Sequence, residues 1–376
     1  MEIEERYAWL RLALAPGVGA ACLRGVLGAF GVPTALFDGR CARPAARAGV
    51  AAACGEACAA ALLDAPDTAT ALALARAENW LEGGAGRSLV CMADADYPPR
   101  LLDLADAPIV LFAQGRRELL CAPALAIVGS RNATRQGEQN AAAFAAHLGA
   151  AGLCIVSGMA GGIDAAAHRG ALDGGAGTIA VLGTGVDVAY PARNRSLAAR
   201  IAREALLLSE LPLGAGPIAF HFPRRNRLIA ALSRGVLVVE AALHSGSLIT
   251  ARLAGDLGRE VFAVPGSIHS PLSRGCHRLI REGAKLVESA HDVLDELPGL
   301  RPAAPGAVPA PDPPAAGAPG GSEGGVLEAL GHDPVDIDTL ARRLEKDAGS
   351  VSAHLFELEL ARRVERLPGN RYQRLR

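Results

Sequence analysis

Between residues 125 and 287 short apolar runs alternate with amphipathic stretches. The runs are Leu125–Val128, Cys154–Ser157, Thr178–Leu182, Leu206–Ser209, Gly235–Val239, Glu260–Val264 and Lys285–Val287. Most are continuous Val, Ile and Leu rather than apolar at every second position, which marks strands buried on both faces. Between them, helical spacing of apolar residues predicts helices over Glu138–Leu148, Asp164–Leu172, Asn194–Glu204, Arg225–Ser233, Leu248–Leu257 and Cys276–Glu282. Strand–helix alternation of this kind predicts an α/β domain: a Rossmann-like, doubly wound, mostly parallel sheet covered by helices on both sides. Two further runs, Ser88–Met92 and Ile109–Phe112, flank the turn Tyr97-Pro98-Pro99 and place the start of this domain near residue 86, with its end near 297.

The flanking regions carry different patterns. Residues 1–85 read as small helices. Leu10–Ala15 leads into Pro16-Gly17-Val18-Gly19 and then a helical stretch to Phe30, closed by Gly31. This is either a helix-hairpin-helix, whose glycine N–H groups approach a phosphate, or a plain helical hairpin with a glycine turn. Arg11 and Arg24 are the charges near it. Residues 298–323 hold eight prolines among Ala and Gly, the composition of an extended linker. From 324 to 376 the pattern gives a short helix at Val326–Leu330, a second capped by Asp336 and ending at Leu344, and a third, Val351–Ala361, capped by Ser350. A hairpin of Val364–Leu367 and Tyr372–Leu375 follows, completing a winged helix.

Composition narrows the chemistry. The 376 residues carry 38 Lys and Arg against 39 Asp and Glu, so any anion site is a local patch. Lysine occurs only at Lys285 and Lys346, which leaves phosphate contacts to arginine. The eight cysteines form no C-x-x-C pair, and no partner pair completes a zinc site with Cys54 and Cys58. Buried thiols in a reducing cytosol are expected, and no metal or cofactor. The N-terminus does not read as a signal peptide, and Gly55 and Glu56 interrupt the apolar run near Ala51–Leu63, so a cytoplasmic protein is expected.

In a parallel doubly wound sheet the loops leaving the strand carboxyl ends share one edge, where ligands bind. The loop segments of interest follow strands: Gly129-Ser130-Arg131; Gly158 through Gly161, Gly162 and Asp164; Gly183-Thr184-Gly185; Phe220-His221-Phe222-Pro223-Arg224-Arg225-Asn226-Arg227; His244 through Ser245, Ser247 and Thr250; and Pro265-Gly266-Ser267. Between Leu211 and Gly235 there are four arginines and no acidic residue. Arginines beside aromatic rings suit single-stranded nucleic acid, the rings stacking bases and the guanidinium groups pairing with phosphates. The same stretch also fits a solvated basic helix face over two core Phe residues. Gly158, Gly161 and Gly162 serve either close phosphate approach or tight strand–helix packing. Ser245, Ser247 and Thr250 serve either anion binding or N-capping. Asp164 and His168, four apart, share a helix face; without a third ligand they are weak candidates for metal or catalysis. Glu240 is placed to orient Arg225 or Arg227, or to meet a ribose hydroxyl. Walker, G-x-G-x-x-G and G-x-S-x-G motifs are missing from the places that would make an ATPase, a dinucleotide enzyme or a hydrolase.

With these motifs in order, the chain resembles the DNA-processing protein A family, DprA or Smf. The matching stretches are Ile127–Arg131, Ser157–Asp164, Tyr190-Pro191 with Asn194, Phe222–Ile229, Glu240 with Ser245–Ala251, and Val264–Gly266. The resemblance implies a non-enzymatic recombination mediator. It would bind single-stranded DNA in a pocket of the Rossmann-like domain, form a homodimer and load the RecA recombinase in natural transformation. It also implies that Arg131 and the Arg225-Asn226-Arg227 group hold the DNA backbone, and the family's frequent lysines on this surface are nearly all missing here. The alternative is a nucleotide-binding phosphoribohydrolase of the same superfamily. Such enzymes carry P-G-G-x-G-T-x-x-E, and Gly158–Asp164 lacks that Thr and Glu. A third reading is a partner-binding scaffold.

Overall fold

The structure is a computed structural model that describes residues 2–37, 43–175, 177–297, 322–331 and 334–375. Nearly all of the expected linker, and Cys41, lie outside the described residues. The chain divides into two compact units, one built from residues 1–133 and 137–302 and the other chiefly from 303–376.

Among the described residues the first unit opens with six helices: α1 (Ile3–Ala13), α2 (Ala20–Phe30), α3 (Thr34–Phe37), α4 (Arg43–Cys54), α5 (Glu56–Leu63) and α6 (Thr68–Glu82). Gly17 at φ 72° makes the turn between the first two, and Gly31 at φ 77° ends the second. Asp67 caps α6, its side chain accepting from the Thr70 N–H at 2.7 Å. The two cations near the glycine turn are occupied by main chain. Arg11 is buried and donates to the Leu62 and Asp64 carbonyls, and Arg24 donates to the Leu104 carbonyl at 3.1 Å. The expectation of free thiols is corrected here, because Cys22 of α2 and Cys54 of α4 form a disulfide across a Cα separation of 5.4 Å. Cys91, Cys154 and Cys276 are buried thiols, whereas Cys121 is exposed.

The sheet strands are β1 (Arg87–Cys91), β2 (Val110–Gly115), β3 (Ala124–Val128), β4 (Cys154–Ser157), β5 (Thr178–Val181), β6 (Leu206–Ser209), β7 (Gly235–Val238), β8 (Glu260–Ala263) and β9 (Lys285–Leu286). They lie in the order β1-β2-β6-β5-β4-β3-β7-β8-β9, parallel from β6 to β9 and antiparallel at β1 and β2. Among the described residues seven α-helices connect or follow the strands: α7 (Arg135–Ala150), α8 (Ile163–Gly174), α9 (Arg195–Glu204), α10 (His221–Leu232), α11 (Gly246–Asp256), α12 (Arg274–Arg281) and α13 (Ala290–Asp295). Alternate residues of one strand feed two cores. Leu125 and Ile127 pack with Phe144, Leu148 and Phe262, while Ala126 and Val128 join the core containing Leu228, Ile229 and Ala254. That second core also takes in Trp9, Leu10 and Leu62, so the N-terminal helices and the sheet share one apolar interior.

The second unit holds α14 (Ser322–Leu330), β10 (Val335–Asp336), α15 (Ile337–Leu344), α16 (Ala348–Leu360), β11 (Val364–Leu367) and β12 (Arg371–Arg374), with strand order β10-β12-β11. Three helices on a small antiparallel sheet form the expected winged helix around Leu340, Val351, Leu355 and Tyr372. Asp336 caps α15 as anticipated, accepting from the Thr339 N–H at 2.8 Å. The cap of α16 is corrected from Ser350 to Asp347. Its carboxylate accepts from the Ser350 N–H at 2.9 Å, so the helix starts earlier than the apolar pattern indicated.

Candidate nucleic-acid interface

From β3 the chain winds one way through β4, β5 and β6, and from β7 it winds the other way through β8 and β9. β3 and β7 are neighbours, so their following loops diverge and leave a crevice between them, the switch point where such sheets take ligands. A cleft of about 560 Å³ opens there. Its walls are Gly129–Asn132 after β3, Ala160 and Asp164 after β4, Ala242 and His244–Ser247 after β7, and the first two turns of α10 and α11.

Helix α10 begins at His221, four residues before the sequence pattern placed it. Pro223 sits in its first turn, where a residue with a fixed φ and no N–H is tolerated. Helical spacing then sorts the basic cluster into two faces. Phe222, Arg225, Asn226 and Ile229 line the cleft. Arg224 and Arg227 turn to Glu210, which lies just before the stretch that has no acids. Arg227 is buried and pairs with both Glu210 and Asp106, the latter at 3.1 Å. Burial raises the Glu210 carboxyl above its ordinary range, and Arg227 and then Arg224 oppose that rise.

Arg225 is also buried, with only 5% of its surface exposed. Its Nη1 donates to the Val181 carbonyl, and its guanidinium fills the space beside Gly158 that a Cβ would need. Burial lowers its pKa to about 10, with Asp164 opposing and Arg131 adding to the fall, so it stays cationic at neutral pH. Asp164 accepts from the Gly158 and Ala160 N–H groups at 3.2 Å each and thereby ties down the loop after β4. Its burial pushes the carboxyl upward against the pull of Arg225. Asn194 completes that loop by donating to the Met159 and Ala160 carbonyls at 2.9 and 3.1 Å. Gly162, at φ 67°, lies so close to the Ser130 carbonyl that no side chain fits.

The rim is aromatic and cationic. The exposed Arg131 guanidinium lies 5.6 Å from the Phe222 ring centroid, and Tyr190 packs on Phe222 at 5.7 Å with planes tilted by 42°. Across the cleft Ser245 caps α11, accepting from the Ser247 N–H at 3.3 Å and sharing a 2.7 Å hydrogen bond with the Ser247 hydroxyl. Asn226 bridges the two helices by donating to the Gly246 carbonyl at 3.3 Å.

The profile of the DNA recombination-mediator protein A family matches residues 88–298, and the DprA winged helix domain matches 309–370. The chain belongs to this family. The DNA processing protein DprA of Streptococcus pneumoniae is 52% identical over 204 residues, which is 54% of this chain and 72% of that protein. The X-ray structure of DNA processing protein A from the same species aligns at TM-score 0.66 and 38% identity, covering 79% of this chain and 99% of that one. The DNA processing protein A of Helicobacter pylori, described for its unique single-stranded DNA binding mode, aligns at TM-score 0.51 and 32% identity, over 55% and 94%.

Within this family framework the expected site residues divide. Gly129, Ser130, Arg131, Phe222, Arg225, Asn226, Ser245, Ser247 and Thr250 all line the cleft. Gly158, Gly161 and Gly162 do not line it. Gly158 makes room for Arg225, Gly161 for Arg193, and Gly162 for the Ser130 carbonyl, so their contribution is close packing. Arg224 and Arg227 face Glu210 instead. The Glu240 carboxylate fills the place a Cβ on Gly137 of α7 would take, and its carbonyl accepts from the Ser130 N–H at 2.7 Å. Asp164 and His168 are separately engaged. His168 is fully buried against the Thr178 hydroxyl at 2.8 Å, and burial lowers its pKa to about 3. Tyr190 was absent from the expected contacts, although its place in the Tyr190-Pro191 motif was the available signal. Among the described residues no helix is by itself long and apolar enough to cross a membrane, and no cluster of three or more His, Cys, Asp or Glu is placed to hold a metal.

Proposed function

We propose that this chain binds single-stranded DNA at the β3/β7 cleft and acts as a recombination mediator in the cytoplasm, as a homodimer that hands the strand to the RecA recombinase. The observation that carries the DNA reading is the Arg131–Phe222–Tyr190 stack on the cleft rim. It presents a cation and two π-faces side by side, which suits a strand whose bases are unstacked and whose phosphates are accessible. The buried Arg225 adds a fixed positive charge under the floor. The single-stranded DNA binding mode described for the Helicobacter pylori relative supports the same ligand.

A hydrolytic role has less support. Asp164 lines the cleft, but its carboxylate is engaged by the Gly158 and Ala160 N–H groups, and His168 is buried in the core against Thr178. The test is fluorescence anisotropy with an oligo-dT, run beside product analysis after incubation with nucleoside monophosphates. Arg131→Ala removes a charge-assisted contact of about 1.5–3 kcal/mol, roughly a 10- to 150-fold loss of affinity. Phe222→Ala removes about 1–3 kcal/mol of base stacking. Wild-type affinity in both variants at low salt would exclude the cleft, and release of free base from a monophosphate would support the enzyme. Incubation of the DNA-loaded protein with RecA, followed by filament formation, tests the loading step on its own.

A further inference from the structure

The third helix of the winged-helix unit, α16, has two apolar faces. Val351, Leu355 and Leu358 point into the core. Gly349, Ala353, Phe356 and Leu360 form a second row at spacings of four, three and four, and all four are exposed. Phe356 is 61% exposed and Leu360 71%. A 4-3-4 apolar row is the seam along which one helix packs on another. Glu357 and Glu359 flank it, which sets the helix against a phosphate backbone.

The row is graded, with Gly and Ala at its N-terminal end and Phe and Leu at its C-terminal end. Its natural complement is therefore the same row running in reverse. With a two-fold axis midway between Ala353 and Phe356, each Phe356 rests on the other copy's Ala353 and each Leu360 on the other copy's Gly349. Large side chains then meet small ones throughout. The same register sets Arg362, just past the helix end, opposite Asp347, the N-cap, and both are exposed. A parallel pairing would instead stack Phe on Phe, leave gaps at Gly and Ala, and oppose like charges at both ends.

We propose that α16 is a homotypic contact, pairing antiparallel with α16 of a second copy of this chain. The pairing is isologous, as a two-fold requires. One helix seam buries far less than the roughly 1,200–2,000 Å² of a stable interface, so the contact is weak by itself and is best captured covalently.

The experiment uses the full chain. In the proposed register the two Ala353 positions lie about 4.5 Å apart along the helix axis. A short bismaleimide should therefore join two copies of Ala353→Cys in a yield several-fold above that of Glu357→Cys, which projects from an adjacent face. Wild type reports the background from native thiols such as the exposed Cys121. Adding Leu360→Asp to Ala353→Cys should return the yield to that background with no change in thermal midpoint, because Leu360 is exposed. Equal yields from Ala353→Cys and Glu357→Cys, or a yield that survives Leu360→Asp, would overturn the proposal. A face that binds DNA or a different protein also gives no excess over the Glu357→Cys control.

Discussion

Replacing Arg227 should cost stability and leave DNA affinity nearly intact, although it sits in a basic run that reads as a strand-binding patch. Its guanidinium is buried between Glu210 and Asp106. Arg227→Ala leaves the buried Glu210 with Arg224 alone, at 3.4 Å and from a half-exposed side chain. Breaking one partner out of a buried pair costs about 3–5 kcal/mol, and the remaining Arg224 favours the lower end. At roughly 2–4 °C per kcal/mol for a unit of this size, the thermal midpoint should fall by about 6–12 °C. The folded Glu210 pKa lies above its ordinary value of 4.5 because of burial, and losing Arg227 moves it higher still. A carboxyl that holds its proton more tightly when folded loses stability as pH rises above 4.5. The deficit of Arg227→Ala should therefore be smallest near pH 4.5 and grow toward neutrality. Scanning calorimetry from pH 4.5 to 7.5, with oligo-dT anisotropy well below the midpoint, reads both quantities. An unchanged midpoint together with a tenfold loss of DNA affinity would refute the ion-pair assignment and return Arg227 to the DNA surface.

Other positions carry shorter tests. Gly158→Ala forces the Arg225 guanidinium out of its seat, so it should destabilise by about 1–3 kcal/mol and also weaken oligo-dT binding; a neutral outcome in both would mean that Arg225 moves freely. His168 stays neutral when folded but takes up a proton near pH 6.5 when unfolded, so stability falls as pH drops below 6.5. That loss is about 2 kcal/mol between pH 6.5 and 5, and His168→Leu should abolish it in paired urea titrations. Phe222→Ala should narrow the preference for single-stranded over duplex DNA, since a duplex cannot offer unstacked bases; a preference unchanged in competition would argue against stacking. A fragment ending at residue 297 should retain most of the affinity, because the cleft lies wholly in the first unit and α16 carries Glu357 and Glu359 and no cation. A fragment with intact circular dichroism that loses binding would move the principal site to the tail.

The sheet was legible because its central strands are continuous apolar runs, the pattern that burial on both faces requires. Helix boundaries were less legible where a capping side chain, rather than hydrophobic spacing, sets the start. α16 begins just after Asp347 because a capping carboxylate is available there, and α10 begins at His221 because its first turn tolerates Pro223. The Cys22–Cys54 bridge lay beyond local reasoning, since it depends on how α2 and α4 pack and the residues are 32 apart.

The candidate site was legible as a set of loops but not as a set of roles, and Glu210 shows why. Counting from Leu211 to Gly235 finds four arginines and no acid, which suggests four cations free for phosphate. Glu210 lies one residue outside that window and engages two of them. Helical periodicity decides which two. Arg224 and Arg227 are three apart and share the Glu210 face, whereas Phe222, Arg225, Asn226 and Ile229 share the face turned to the cleft. Arg225 is itself buried, so the exposed guanidinium on the rim comes from Arg131 on a different loop. Local charge density therefore overstated the capacity of α10 for phosphate. Much of its arginine builds the wall of the cleft, and the rim's exposed cation and two aromatic rings are gathered by the fold from two loops and the first turn of α10.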